Sequence, residues 1–449
     1  MSTRAGARGS AIPDDAVGFR EALLRGLAPD EGLYMPETIA PWSAGELAGL
    51  AGQTVVECGV SVLRPYVSDA LPAAALVAAA DAALNFPIPL VEIEPGLFAL
   101  ELFHGPTLAF KDVGARIMAR LLAAVVRPGD RPITVLVATS GDTGGAVGHA
   151  FSGVAGTRVV ILYPDGRVSR TQEAQLTAFN GVDGANVRAF AVSGSFDDCQ
   201  QLVKRALADP RLQAQAGVTG ANSINVGRLL PQMIYYFFAA AALARRGIAR
   251  AAFSTPSGNF GNLTAGVMAK LAGAPIAHFV AATTINDVVP AYLETGLFQP
   301  RPSVATLANA MDCGNPSNFD RLHWLYGGDL RAIRADISGS VHTDAEVRAA
   351  IEWMDRERGY LLDPHSAIAY LGVATPPGLA GEADAAGTAR VFLATAHPAK
   401  FAEVVEPIVG RRIAPPPALA EVLAGPRSIL RLDAADAAIA RTIVEWAGA

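Results

Sequence analysis

The sequence predicts an α/β protein built on mainly parallel sheet, and three observations predict it. The apolar runs at 133–138, 158–163, 187–192, 251–254, 276–282 and 390–394 are continuous rather than alternating, as strands buried on both faces are. Segments of helical character separate them, which is the alternation that parallel pairing needs. Turns rich in Gly, Ser and Asn follow two of the runs, at 139–145 (TSGDTGG) and 257–262 (SGNFGN). In open α/β sheets ligands bind beyond the carboxyl ends of the strands, where these turns fall.

Taken in order, residues 1–12 carry no apolar pattern and are expected to lack structure. Helices are expected at 19–27, 43–50 and 71–84, the last with Pro72 near its first turn, where proline is tolerated. Residues 28–32 (APDEG) read as a turn. The prolines of 85–89 (NFPIP) stop helix propagation and mark the end of a first unit, 1–88. A strand at 96–102 is broken by Gly105 and Pro106, and a helix at 113–126 follows. Further helices are expected after 145, from 169 and over 196–207. The run 229–244 is the longest apolar stretch. It contains Pro231 and Gln232, falls short of the roughly 20 residues that cross a bilayer, and reads as a buried helix.

Composition narrows the function classes. A chain of 449 residues exceeds one ordinary core and implies two or three domains. With 51% hydrophobic and 17% charged residues it can bury a large interior. A net charge of −6 without a basic block argues against nucleic acid or anionic membrane as a partner, and leaves room for a local basic pocket. Cys58, Cys199 and Cys313 are scattered, so neither a disulfide framework nor a CxxC metal site is expected; this fits the cytoplasm. The N-terminal segment has no apolar signal core. No metal site is proposed, because His104, His149 and His397 have no second ligand at metal spacing.

The chemistry concentrates in the turns. Lys111 stands between the break at Gly105–Pro106 and the helix. A helix N-terminus repels an ammonium ion, and Phe103, Leu108 and Phe110 would desolvate it; both effects favour a neutral, nucleophilic amine. Taken alone, Lys111 reads more readily as a surface lysine beside Asp112. Ser140, Gly141, Asp142 and Thr143 form a small-residue turn ahead of a helix, suited to a carboxylate or phosphate or simply to an N-cap. It is not a Walker loop. Gly258, Asn259, Phe260, Gly261 and Asn262 have the same placement and suit a phosphate cradle or a tight turn. Asn225 and Arg228 share a helical face at the mouth of the apolar helix, lining a cavity or capping it. Thr395 ends the last clear strand and offers a hydroxyl. No GxSxG elbow is present, which removes a serine-hydrolase reading.

The ordered set ELFHGPTLAFKD (101–112), TSGDTGGAV (139–147), YPDGRVSRTQE (163–173), NSINVGR (222–228), PSGNFGN (256–262), AMDCGNPSNFDRL (310–322) and TAHPAKF (395–401) resembles the threonine synthase family. GFREALLRGLAPDEGLYMP (18–36) resembles its N-terminal part, and the likeness spans roughly residues 10–410. The resemblance implies a pyridoxal-phosphate enzyme of fold type II, the tryptophan-synthase-β-like fold. It divides the chain into 1–88, a large cofactor-binding domain of 89–130 with 225–449, and a small α/β domain of 131–224. It implies that Lys111 holds pyridoxal 5'-phosphate as a Schiff base and later moves protons. Residues 258–262 would receive the cofactor phosphate, Thr395 the ring nitrogen, and Asp142 would flank the ring oxygen. Ser140, Gly141 and Thr143 would take the substrate carboxylate, with Asn225 and Arg228 at its phosphate. The implied reaction turns O-phospho-L-homoserine and water into L-threonine and phosphate. Thr284, Arg170 and Gly227 depart from the family pattern. If Thr284 faces the substrate, a phospholyase releasing 2-oxobutyrate is the alternative; a Ser/Thr dehydratase and a catalytically silent cofactor-binding scaffold are more distant ones.

Overall fold

A computed structural model describes residues 3–5, 16–127, 129–374 and 388–448. Of the tail expected to lack structure, residues 3–5 form a strand and the others lie outside the described residues. That strand, β1 (Thr3–Ala5), pairs antiparallel with β2 (Leu33–Pro36). The other strands, in chain order, are β3 (Leu90–Glu94), β4 (Leu97–Glu101), β5 (Ile133–Ala138), β6 (Thr157–Pro164), β7 (Val187–Val192), β8 (Val218–Gly220), β9 (Arg250–Pro256), β10 (Ile276–Thr283), β11 (Ile337–Val341), β12 (Thr388–Ala394) and β13 (Leu430–Leu432).

They make two sheets. One has the order β11-β10-β9-β12-β4-β3 and the other β13-β7-β6-β5-β8. Every pair is parallel except the β3–β4 hairpin at the edge of the first sheet. Central strands such as β5 and β10 are buried along their length, which is why they read as unbroken apolar runs. Strand β3 is largely half-buried, with only Leu90 fully covered, and β8 and β13 have three residues each; these were not expected. The last strand returns to the second sheet, beside β7.

Local chemistry sets the helix starts. Capping boxes, in which a hydroxyl and a carboxylate or amide satisfy each other's backbone N–H groups, open the helices Ala44–Gly49, Val55–Val67, Arg170–Thr177, Phe196–Ala208 and Asp344–Arg358. The helix Val55–Val67 was not expected. It carries Pro65 in its last turn. The apolar stretch divides at Pro231 into Val226–Leu229, a 3₁₀ turn and the helix Met233–Ala244. Val226–Ala244 is long and apolar enough to cross a membrane, but 89% of its most apolar 18-residue window is buried inside the protein. Tyr235, Tyr236 and Phe237 on it are fully covered. It is a core helix.

Candidate active site

The carboxyl ends of β4, β5, β9 and β12 converge. Lys111 comes after β4, Thr139 after β5, Gly258 after β9 and Thr395 after β12. Together they wall a cavity of about 120 Å³.

Lys111 is the first residue of the helix Lys111–Val125. Two backbone bonds zip its approach to the end of β12: Phe110 N–H donates to Thr395 O (2.8 Å), and His397 N–H donates to Leu108 O (3.0 Å). Leu108 takes a left-handed φ of 58° to make the bend. Beneath the bend Asp112 is fully buried. It accepts Thr107 N–H (2.9 Å) and the Thr107 hydroxyl (2.7 Å). Burial pushes the Asp112 carboxyl up to about 6, against those two bonds.

The Lys111 side chain is 15% exposed, and its Nζ lies 3.9 Å from Asp142 Oδ2. Burial pulls its amine down to about 8; Asp142 opposes that, while Lys400 and Arg228 add to it. Asp142 itself begins the helix Asp142–Phe151. Burial would raise its pKa, but Lys400 and Lys111 outweigh burial and hold the carboxyl well below the usual range. Ser140 and Thr143 line the cavity beside it. Gly141 turns behind them, its N–H held by Thr139 Oγ1 at 2.9 Å.

The turn after β9 is built to leave donors free. Phe260 has a left-handed φ of 59°, a strained conformation for a bulky side chain and one that clusters at ligand sites. Gly258 has no room for a Cβ, which would come 2.7 Å from Met311 Cα. Asn259 is anchored from behind by Ser317 N–H to its Oδ1 (2.7 Å) and Asn318 Nδ2 to its carbonyl (3.0 Å). Tyr235 and Tyr236 hydroxyls both donate to Asn262 Oδ1 at 2.7 Å. That leaves Asn262 Nδ2 buried with no partner. The helix Gly261–Leu271 starts here, adding unpaired N–H groups and a positive dipole end.

Arg228 also lines the cavity. One Nη donates to Ala221 O at 2.6 Å, and Nε is buried without a partner. Burial lowers its pKa to about 10. Unpaired buried donors cost about 1–3 kcal/mol each, so Arg228 Nε and Asn262 Nδ2 mark places where anions belong. An amine pulled down to about 8, a strained turn at a helix start and two orphan donors in one cavity fit pyridoxal 5'-phosphate.

Asn225 is not among the lining residues. Its amide donates to Leu23 O (3.0 Å) and Gly220 O (2.9 Å), and its Oδ1 accepts Gly227 N–H (2.9 Å). One bond reaches the N-terminal segment at Leu23 and the other two stay within 220–227, so both amide N–H groups are taken by backbone, against the expectation that Asn225 faces a ligand. Asn222 and Ser223, from the same motif, line the cavity instead. Gly227 is explained by packing: a Cβ there would meet Leu23 Cδ1 at 2.3 Å. Thr284 does not reach the cavity. It is 2% exposed, and its hydroxyl accepts Asn286 N–H (3.2 Å) and Asn286 Nδ2 (2.9 Å). Arg170 is exposed on the first turn of its helix.

The sequence reading missed several residues around this site. His365 lines the cavity; its Nδ1 contacts Asp363 Oδ2 at 2.7 Å, and its Nε2 accepts Ala310 N–H at 3.2 Å, so Nδ1 carries the proton. Lys400 is 1% exposed and lies 3.0 Å from Asp142 Oδ1. Gln172 Nε2 donates to the same oxygen at 3.3 Å. Lys400 was visible within TAHPAKF and the His365 group within DPHSA (363–367). Nothing in either string tells which cavity they enter.

Known proteins bear on this geometry directly. Residues 84–391 match the family model described as pyridoxal-phosphate dependent enzyme, residues 1–84 the threonine synthase N terminus, and residues 371–444 the threonine synthase C-terminal model. The threonine synthase of Haemophilus influenzae is 45% identical over 91% of this chain and 92% of its own. The crystal structure of threonine synthase from Escherichia coli superposes with a TM-score of 0.87 at 39% identity, covering 96% of this chain and 97% of that one. The pyridoxal-phosphate-bound threonine synthase from Brucella melitensis gives 0.89 at 36% identity over the whole of both chains. The chain belongs to the threonine synthase family of pyridoxal-phosphate-dependent, fold type II enzymes.

Proposed function

We propose that the chain converts O-phospho-L-homoserine and water into L-threonine and phosphate, in the cytoplasm. The observation that carries this reading is the meeting of a nucleophilic lysine with separate anion positions in one cavity. Lys111 is the residue that would hold the cofactor. The turn 258–262 would take its phosphate, with Asn262 Nδ2 and the helix start donating. Thr395 is the hydroxyl for the ring nitrogen. Bound there, the cofactor supplies an electron sink for carbanion chemistry. Ser140, Thr143 and the N–H groups opening the helix at Asp142 form the carboxylate position. Arg228 Nε, with Asn222 and Ser223, forms the position for the substrate phosphate, the leaving group. The Lys111 amine then holds and moves the protons at the substrate carbons. Its placement on a helix start and in a dry wall keeps a neutral fraction available for that work. We read the chain as three units, with the sheet β5–β8 forming the smaller α/β unit and β13 added to its edge.

The test is product identification from O-phosphohomoserine. Threonine with equimolar phosphate is expected. Release of 2-oxobutyrate in its place would make the chain a phospholyase. Thr284, packed onto Asn286 and outside the cavity lining, gives no ground for that second reading.

A further inference from the structure

We propose that Lys400 is a positioning residue for Lys111: it holds Asp142 by one oxygen, so that the carboxylate cannot close on Lys111 and the Lys111 amine stays free to capture the cofactor. The proposal rests on Lys111 being the cofactor lysine.

The geometry divides Asp142 between two cations. Its Oδ1 lies 3.0 Å from Lys400 Nζ and receives Gln172 Nε2 at 3.3 Å. Its Oδ2 lies 3.9 Å from Lys111 Nζ, beyond hydrogen-bonding reach. Lys400 is held in place by a second bond, from Nζ to Thr107 O at 2.8 Å. Thr107 belongs to the bend that delivers Lys111, so one ammonium fixes both the bend and the carboxylate. Without Lys400, Asp142 would have Lys111 as its nearest cation. A closed ion pair in a buried site stabilises the charged amine and removes the nucleophile.

The other charged groups facing Lys111 are Arg228 from the helix Val226–Leu229 and Asp363 from the turn ahead of Pro364–Ala374; His365 from that helix faces Asp142. Arg228 and Lys400 disfavour the ammonium, and Asp142 and Asp363 favour it.

The experiment follows capture of pyridoxal phosphate by the full-length chain after its cofactor is removed, read as growth of the visible band between pH 6.5 and 10. Lys400→Gln keeps a donor for Thr107 O and drops the charge. It is expected to slow capture about tenfold at pH 7, the effect of one pKa unit, and to match the wild type near pH 10, where both amines are neutral. Lys400→Arg should restore much of the loss at pH 7. Slowing by the same factor at every pH, or no slowing at pH 7, overturns the proposal. Borohydride trapping and peptide mapping of the wild type separate the two levels. Label on Lys111 leaves the capture rates to decide. Label on another lysine overturns the cofactor assignment and this proposal with it.

Discussion

Two buried residues near the cavity give direct expectations. Arg228 Nε has no partner, so one of its donors stands open for an anion. A hydrogen bond to a charged group contributes about 2 kcal/mol. Arg228→Ala is expected to raise the KM for O-phosphohomoserine about thirtyfold, and an unchanged KM removes Arg228 from the phosphate position. Asp112 is the second. Its folded pKa is raised to about 6 from an ordinary 3.8, so the native state binds its proton more tightly than the unfolded chain does. The stability it contributes is present below pH 4 and is lost as pH rises through 6. Asp112→Asn fits the same bonds, because a hydroxyl such as that of Thr107 can accept as well as donate. Urea unfolding of both proteins at pH 4 and pH 7 should show the variant gaining on the wild type by on the order of 3 kcal/mol. A difference that does not change with pH would contradict it.

Among the elements, the turn 258–262 depends on a strut. Arg321 is fully buried, and burial brings its pKa down to about 9. It donates to Ser223 O (2.8 Å), Asn318 Oδ1 (2.7 Å), Tyr34 O (3.0 Å) and Ile224 O (2.6 Å). Asn318 in turn donates to Asn259 O and, at 3.1 Å, to Ser223 Oγ. One guanidinium thereby joins β2, the 222–225 turn and the turn 258–262. Arg321→Met should cost on the order of 3 kcal/mol of stability, since it leaves buried acceptors without partners, and should also weaken cofactor binding. Equilibrium dialysis with pyridoxal phosphate on the folded fraction checks the second part; unchanged affinity would confine Arg321 to stability. The elements also show what the sequence makes legible. Strands β5, β7 and β10 could be placed within a residue or two, because burial on both faces writes a continuous apolar run. The short edge partners β8 and β13 could not, since three residues carry no period. Turns at 139–145 and 257–262 were legible through Gly and Asn. Asn225 misled, because a polar residue at a helix mouth serves a cap or a ligand equally well, and only its three bonds to backbone decide.

At the scale of the molecule, the cavity exists because the strand ends of two sheets are brought together. Lys400, Gln172 and His365 are ordinary in the sequence and become significant through contacts made across 30 to 293 positions of chain. One side-chain bond links elements of the two sheets beside Asp142: Asn309 Nδ2 donates to Gln172 Oε1 at 3.3 Å, and Gln172 Nε2 donates in turn to Asp142 Oδ1. A ligand bound to the turns of both sheets is therefore expected to stabilise both at once. At a hundred times its dissociation constant it contributes about 2.7 kcal/mol, and amide exchange should slow at 139–145 and at 258–262 together. Lys111→Ala, which leaves both turns intact, should abolish turnover. It should retain slowed exchange at 258–262, because the phosphate position does not need the amine, while losing most of it at 139–145, where Asp142 no longer meets a cofactor held by Lys111. Exchange that slows in the wild type at only one turn would mean that the cofactor sits on one sheet and that the shared cavity has been misassigned.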